Sequence, residues 1–466
     1  MSSLQNITVK KAALTPCKGN EPPEGSLDRK GNALAIRIEE GIVQVDYFED
    51  ILSPNITVYV KVSTTAGTYS KIPIRGFERL DLNMGTDEGD LIFDEEVDGR
   101  PPLYVSAVRD LIQDERSEIF TLVCKTKECF DNEITRCGKR FDRAQISNHV
   151  KDILTEYLKV DQDRIAEIED TATSYGFMGN NKKPFHTCVW LAPKAQPISG
   201  SGSGTSGSGS AAKANGTSGF FFFENYDGFN FRSIESMLSG KVSSTSADNK
   251  EIEKYTATSA TDRESTNRQI IHYFVDKNTD LQKNLRIGLY NNLQYFFDPI
   301  DWSLDAIKYS LKDERDKLES SSDFIPLPGE GDEDPLTKYS SRIMCRIADT
   351  GMWDPTFASK DDGTPAVGQG RDTSDMSKSY SRYNLLLTQS LNIVIPINPN
   401  LRAGDIIMIE LPKADGTDKK LKKSDSKQSS PYLIRSVRHH FEISGGTNTT
   451  SLNLVRDSYG IEIGPD

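Results

Sequence analysis

From Phe220 to Phe231 the chain reads Phe-Phe-Phe-Phe-Glu-Asn-Tyr-Asp-Gly-Phe-Asn-Phe, followed by Arg232-Ser233-Ile234-Glu235-Ser236-Met237-Leu238. This phrase restricts local structure more than any other. Two aromatic runs flank Asp227-Gly228, a pair that favours a tight hairpin turn because glycine relieves positive-φ strain. Ser233 then stands where a helix N-cap belongs, with Glu235 in the first turn. Successive side chains of a strand point to opposite faces. The four phenylalanines must therefore divide between two sides, and both sides need cover. One arrangement puts a core on one face and a domain or subunit contact on the other. A second buries both faces within one subunit. The residues alone leave the two open.

At 466 residues the chain is too long for one small core and suggests two to four domains. Its 36% hydrophobic and 27% charged content is that of an ordinary soluble globular protein. No apolar run is long enough for a bilayer. Residues Met1 to Thr8 lack the basic region and apolar stretch of a signal peptide, so folding in the cytoplasm is expected. The net charge of −13 works against binding nucleic acid or anionic membranes unless a basic patch is segregated. It serves solubility, and it would also suit a passage through which DNA slides without sticking.

Strand patterns dominate both ends. Residues 1–31, with Pro16, Pro22 and Pro23, read as an extended arm holding one short strand. From 32 to about 123 short alternating runs such as Ile56-Thr-Val-Tyr-Val-Lys-Val62 predict a small antiparallel barrel or sandwich, its domain drawn as 32–118, with strands near 70–74, 79–83, 103–110 and 119–125. Residues 119–198 read as a small α/β unit: helical periodicity over 128–158, then a return strand at 184–190. Its charges Lys139, Arg140, Arg143 and Lys151 fit a solvated helix face. Residues 199–219, almost all Ser, Gly, Thr and Ala, have nothing to bury and read as a flexible loop. The hairpin 220–238 together with 381–466 predicts a second β-barrel, interrupted by an α+β insertion at 239–380. Within the insertion, strands are expected at 270–275 and 284–290, a short helix at 296–304 and a loop at 361–378. The closing module has a strand at 385–395, single or split, and a lysine-rich hairpin loop at 413–427.

Signatures of chemistry are missing. There is no Gly-x-Ser-x-Gly elbow, Walker loop or HExxH, and AVGQG at 366–370 is too short for a dinucleotide cradle. His439 and His440 are neighbours on a predicted strand, face opposite ways and cannot share a metal. Cys124, Cys129, Cys137 and His149 lie near one another in sequence, but their spacing matches no common zinc signature; reduced thiols are expected. The clusters Asp94-Glu95-Glu96 and Asp332-Glu333-Asp334 lack the apolar surroundings that raise a catalytic acid's pKa. No catalytic, cofactor-binding or metal-ligating residue is assigned, and no cofactor is expected.

The hairpin phrase 220–238, LRAGDIIMIELP (401–412), PYLIRSVRHHF (431–441), TTSLNLVRDSYG (449–460) and NEITRCGKRFDRAQISNHVKDIL (132–154) carry a resemblance. With the β-rich start, they resemble the central baseplate hub proteins of large contractile-tailed bacteriophages of the myovirus type. The resemblance implies a mixed, β-dominated fold with two similar small antiparallel β-barrel tube domains, plus smaller α/β and α+β inserted domains. It implies a non-enzymatic, ring-forming homotrimer in the virion tail, which adapts a sixfold tail tube to a threefold central spike. A channel for DNA ejection would pass through the ring without specific binding. Implied partners are the tube and spike proteins, the baseplate wedge proteins and the tape-measure protein, with no membrane insertion. Phe220, Phe221, Phe222, Phe223, Gly228, Phe229, Phe231, Ile234 and Gly404 are the structural and interface positions it singles out. Two other readings compete. One is the hub part of a bacterial contractile injection or secretion spike, where hub and needle are usually fused; the end at Asp466 without β-helical repeats points instead to a separate spike. The other is a tail-tip cell-wall hydrolase, which digestion of peptidoglycan would reveal.

Overall fold

The structure is a computed structural model. It describes residues 7–17, 35–65, 74–172, 174–198, 218–239, 252–257, 267–277, 279–299, 302–315, 335–347, 374–412, 428–443 and 445–459, with isolated residues between them. The fold is β-dominated.

The first module contains β1 (Thr8–Thr15), β2 (Ile36–Arg37), β3 (Ile42–Asp50), β4 (Thr57–Thr64), β5 (Arg79–Gly85), β6 (Asp90–Phe93), β7 (Leu103–Gln113) and β8 (Glu118–Lys125). They are ordered β3-β4-β8-β7-β5-β1-β2, with β6 beside β5, and every pair is antiparallel. Alternation turns one side of each strand inward: Val58, Val60 and Val62 from β4, Leu80, Leu82 and Met84 from β5, Phe120 and Leu122 from β8. Seven strands feed this single core, so the sheet must curl around it.

A smaller unit follows: helix Lys127–Ile134, β9 (Arg140–Gln145), helix Ile146–Asp152, β10 (Ile165–Ile168), β11 (Ser174–Met178) and helix Pro184–Leu191. Next comes the aromatic hairpin, β12 (Phe220–Asn225) and β13 (Gly228–Ser233), running into helix Ile234–Leu238. Then come β14 (Lys254–Thr256), β15 (His272–Lys277), β16 (Asn291–Phe297), β17 (Leu304–Ser310), β18 (Arg342–Ile347), β19 (Trp353–Asp354) and helix Ser374–Leu386. The chain closes on β20 (Gln389–Pro396), β21 (Ile406–Glu410), β22 (Ser430–Glu442) and β23 (Thr449–Arg456).

The second module is ordered β15-β20-β23-β22-β21, again antiparallel throughout, with β14 parallel to β21. In the first module the matching five are β3-β4-β8-β7-β5. Numbered by their place in the chain, both sets read first, second, fifth, fourth, third. The likeness extends to detail. The register between fourth and fifth strands shifts between Val105 and Ala107 in one module and between Ile434 and Ser436 in the other. Third and fourth strands meet at Arg79↔Tyr104 and Leu80↔Leu103 in one, at Ile406↔Leu433 and Ile407↔Tyr432 in the other. The modules are joined edge to edge. Beyond its bulge β22 leaves β21 and pairs with β3, from Ser436↔Asp50 to Glu442↔Gln44. The result is one 14-stranded sheet wrapped around two cores.

Several sequence expectations are corrected. Residues 184–191 form a helix, not a return strand: Pro184 opens it, where its missing N–H costs nothing, and Phe185, Cys188 and Leu191 repeat at helical spacing into the core. The strand expected at 284–290 is largely the helix Leu281–Ile287, whose N-cap Asp280 accepts from the Lys283 amide at 3.0 Å and which stops at Gly288, φ 75°. Of the helix expected at 296–304, Phe296 and Phe297 end β16 and Leu304 starts β17, while residues 300–301 lie outside the described residues. Helical periodicity over 128–158 is broken by β9, which pairs with β11. The strand expected from 385 starts at Gln389, after a helix that begins at Ser374 within the expected loop. The arm's strand β1 spans eight residues and pairs along β5. The strand expected at 119–125 is β8, central to the first module because both of its edges are paired, to β4 and β7. Residues 70–73, 199–217, 361–373 and most of 413–427 lie outside the described residues.

Candidate functional site

Every residue of β12 and β13 is buried. The hairpin does not join the sheet of the second module; β13 pairs in parallel with β10, giving a three-stranded sheet. It forms a partition between cores. Phe220, Phe222, Phe229 and Phe231 enter the core of the small α/β unit. Phe221, Phe223 and Ile234 enter the core of the second module. On the first face Phe220 stacks on Phe231 at 4.8 Å, and Phe185 lies 5.8 and 5.7 Å from Phe222 and Phe229. On the second, Phe221 meets Tyr383 edge-on at 5.1 Å. Both faces of the ribbon are thus covered from within the chain.

Two glycines permit this packing. Gly228 has φ 136°, and a Cβ there would lie 2.2 Å from the Arg164 carbonyl oxygen, so β10 could not approach β13. Gly404, φ 91°, leaves room for the Phe223 ring, which a Cβ would meet at 2.8 Å.

The turn of the ribbon reaches the first core. Tyr226 is buried there, edge-on to Phe93 at 5.6 Å. The guanidinium groups of Arg100 and Arg402 lie 3.9 and 4.5 Å from its ring centre. Its backbone N–H donates to the Glu49 carboxylate at 2.7 Å. Glu49 also accepts from the Tyr47 hydroxyl at 2.6 Å and the Ala403 amide at 2.7 Å. Burial pushes the Glu49 carboxyl up to about 7, against the pull of Arg402 and these donors. A second buried carboxylate, Glu224, receives Arg164 at 2.6 Å, the Thr126 hydroxyl at 3.0 Å and the Ile56 amide at 3.2 Å. Burial raises it to about 7 as well, while Arg164 pulls it down. Glu49 and Glu224 therefore bind the ribbon, the first module and the small unit into one body.

At the joint between modules Asp46 accepts from His440 at 2.7 Å and Arg438 at 3.0 Å. Adjacent His439 points the other way, fully buried, 3.0 Å from the Thr450 hydroxyl; burial lowers its pKa to about 3. Cys124 lies in the first core and Cys137 in that of the small unit, while His149 bonds the Tyr175 carbonyl at 2.6 Å. Among the described residues no three of His, Cys, Asp and Glu gather as a metal set, and no helix is long and apolar enough to cross a membrane. No local pattern in the sequence marks Glu49, Arg100, Arg164 or Arg402 as part of this site. A signal existed for one buried charge: Glu224 directly follows four phenylalanines in a strand, and a charge buried there requires a partner.

No protein-family model matches the chain, and no curated protein matches it in sequence. Its fold does have a counterpart. A tail protein from Neisseria meningitidis MC58 superposes with a TM-score of 0.50 over 97% of each chain, at 8% identity. The chain has a tail-protein fold. The 43 kDa tail protein of prophage MuSo2 from Shewanella oneidensis aligns over 96% of this chain and 98% of its own, with a TM-score of 0.48 and 7% identity. A component of the type VI secretion system from E. coli aligns over 91% and 77%, with a TM-score of 0.41 and 8% identity.

Proposed function

We propose that the protein is a structural hub of a contractile phage tail, acting in the virion baseplate and not as an enzyme. Three copies form a ring between the sixfold tube and the threefold spike and leave a channel for DNA. The observation that carries this reading is the repeated five-strand order within one chain. Two matched modules in each of three subunits present six similar positions around an axis, so a threefold ring can stack on a sixfold tube. The tail-protein fold agrees with such a role. The buried carboxylates Glu49 and Glu224 are each held by structural partners, which suits a rigid adaptor. Tube, spike, wedge and tape-measure proteins are its expected neighbours. Electron microscopy of tails carrying a tag on this chain tests the reading. Label at the junction of tube and spike is expected; label elsewhere, or none on the particle, contradicts it.

A further inference from the structure

The joint inside the chain has a vacant copy at its two ends. In the joint, the fourth strand of the second module, β22, pairs beyond its bulge with the first strand of the first module, β3. The equivalent strands that remain are β7, fourth in the first module, and β15, first in the second. Among the described residues, β15 pairs only with β20, and β7 from Ala107 onward pairs only with β8. Unpaired sheet edges are templates for another strand. Both carry exposed apolar side chains: Phe274 is 65% exposed and Ile112 62%, with Tyr273 and Leu111 beside them.

We propose that β7 of one copy pairs antiparallel with β15 of the next, repeating between subunits the joint that β22 and β3 make within one. This rests on the ring reading above and names the contact that closes the ring. The internal repeat sets the register. Leu452 of β23 faces Val437 and Ile393, as Leu122 of β8 faces Val108 and Val60. Ile393 in turn faces Tyr273, and Val60 faces Val45. Tyr273 therefore stands where Val45 stands, and Phe274 where Asp46 stands. On the fourth strands, His440 faces Thr449, three residues before Leu452, and Ile112 faces Ile119, three residues before Leu122. His440 faces Asp46 in the joint. Its copy between subunits sets Ile112 opposite Phe274.

The chemistry of these positions fits the assignment. Within the chain the pair is Asp46–His440, a hydrogen-bonded polar contact. Between copies it is two apolar side chains, whose burial drives association. Lys277 falls opposite Arg109, a like-charged pair at one end that opposes part of what the apolar centre gains. Since the two edges differ, the contact is head-to-tail and generates a ring or a filament rather than a twofold dimer.

Cysteine cross-linking in the full chain tests the register. Facing residues of an antiparallel pair have Cα atoms about 4.5–5.5 Å apart, within reach of a disulfide. The double variant Ile112→Cys/Phe274→Cys is expected to give covalent dimers and trimers on mild oxidation, reversed by thiol. Either single variant, or Ile112→Cys with Ile271→Cys, should give at least tenfold less. Phe274→Asp should shift the native mass to one chain with an unchanged circular dichroism spectrum. A trimer that yields no cross-link above the controls, or that survives Phe274→Asp, overturns this contact and leaves the ring standing. An unmutated chain that is a folded monomer overturns the ring, and this contact with it.

Discussion

The two β modules have one strand order but differ in how their cores are closed. The first is nearly self-contained, with residues 8–125 supplying all but three of its buried core positions, the exceptions being Tyr226, Ile397 and Phe441. The second has a core lidded from outside its own sheet, by Phe221 and Phe223 of the ribbon, by Ile234, Met237 and Leu238 of the helix that follows, and by Leu386. Its first and second strands, β15 and β20, are also separated by the β16–β18 sheet in the chain, which is tolerable because loop closure costs grow only slowly with length. A shared topology therefore does not give equal independence. The ribbon is the element on which the second module and the small unit both rely, whereas the first module touches it mainly at Tyr226, Glu49 and Glu224.

Perturbing the ribbon should split the molecule along this line. Gly228→Val places a branched side chain at positive φ and against the Arg164 carbonyl; a loss of at least about 5 kcal/mol is expected, read as a collapse of the thermal transition of the second module and small unit. Phe223→Ala removes a fully buried ring from the lid and should cost about 4 kcal/mol. Hydrogen exchange should then quicken in β20 to β23 while β4 and β8 stay protected; equal loss in both modules would erase the distinction.

The bond from ribbon to first module is sensitive to pH. Folding raises Glu49 from 4.5 to about 7, so the folded chain retains a proton that the unfolded chain has released. The stabilisation from this group is complete below about pH 4.5 and is lost as pH rises through 7. Relative to Glu49→Gln, the wild type should lose stability over that interval by on the order of 3 kcal/mol at most, measured by urea unfolding at a series of pH values. The smallest effect is expected at the joint. Asp46→Asn weakens contacts to Arg438 and His440, the former largely solvated, and should cost about 1 kcal/mol without separating the modules, because the backbone pairing of β22 with β3 remains.

Much of the architecture can be read in the residues. The Asp-Gly turn, the Ser233 cap and the alternating strands at both ends are local signals, and the structure shows the Ser233 hydroxyl accepting from the Ser236 amide at 3.0 Å. The misread segments are those where local signals compete. Asn284–Tyr290 alternates like a strand, yet Asp280 and Gly288, a cap and a stop, decide for helix. In 184–191 the β-compatible residues Phe185, Val189 and Trp190 obscured the opening proline and the helical spacing. Of the ribbon's polar ties only the charge of Glu224 leaves a mark in the sequence; the partners do not, since Glu49 finds its own at Tyr226 and Ala403, far along the chain. The matched strand order was equally hidden, because it is a property of pairing and the two modules share little sequence.

The claim that two matched modules let three copies imitate sixfold symmetry is tested most directly by the mass of the full chain in solution. Light scattering at micromolar concentration should return three times the 51.9 kDa of one chain. A fully folded protein that keeps the mass of a single chain as concentration rises would contradict it.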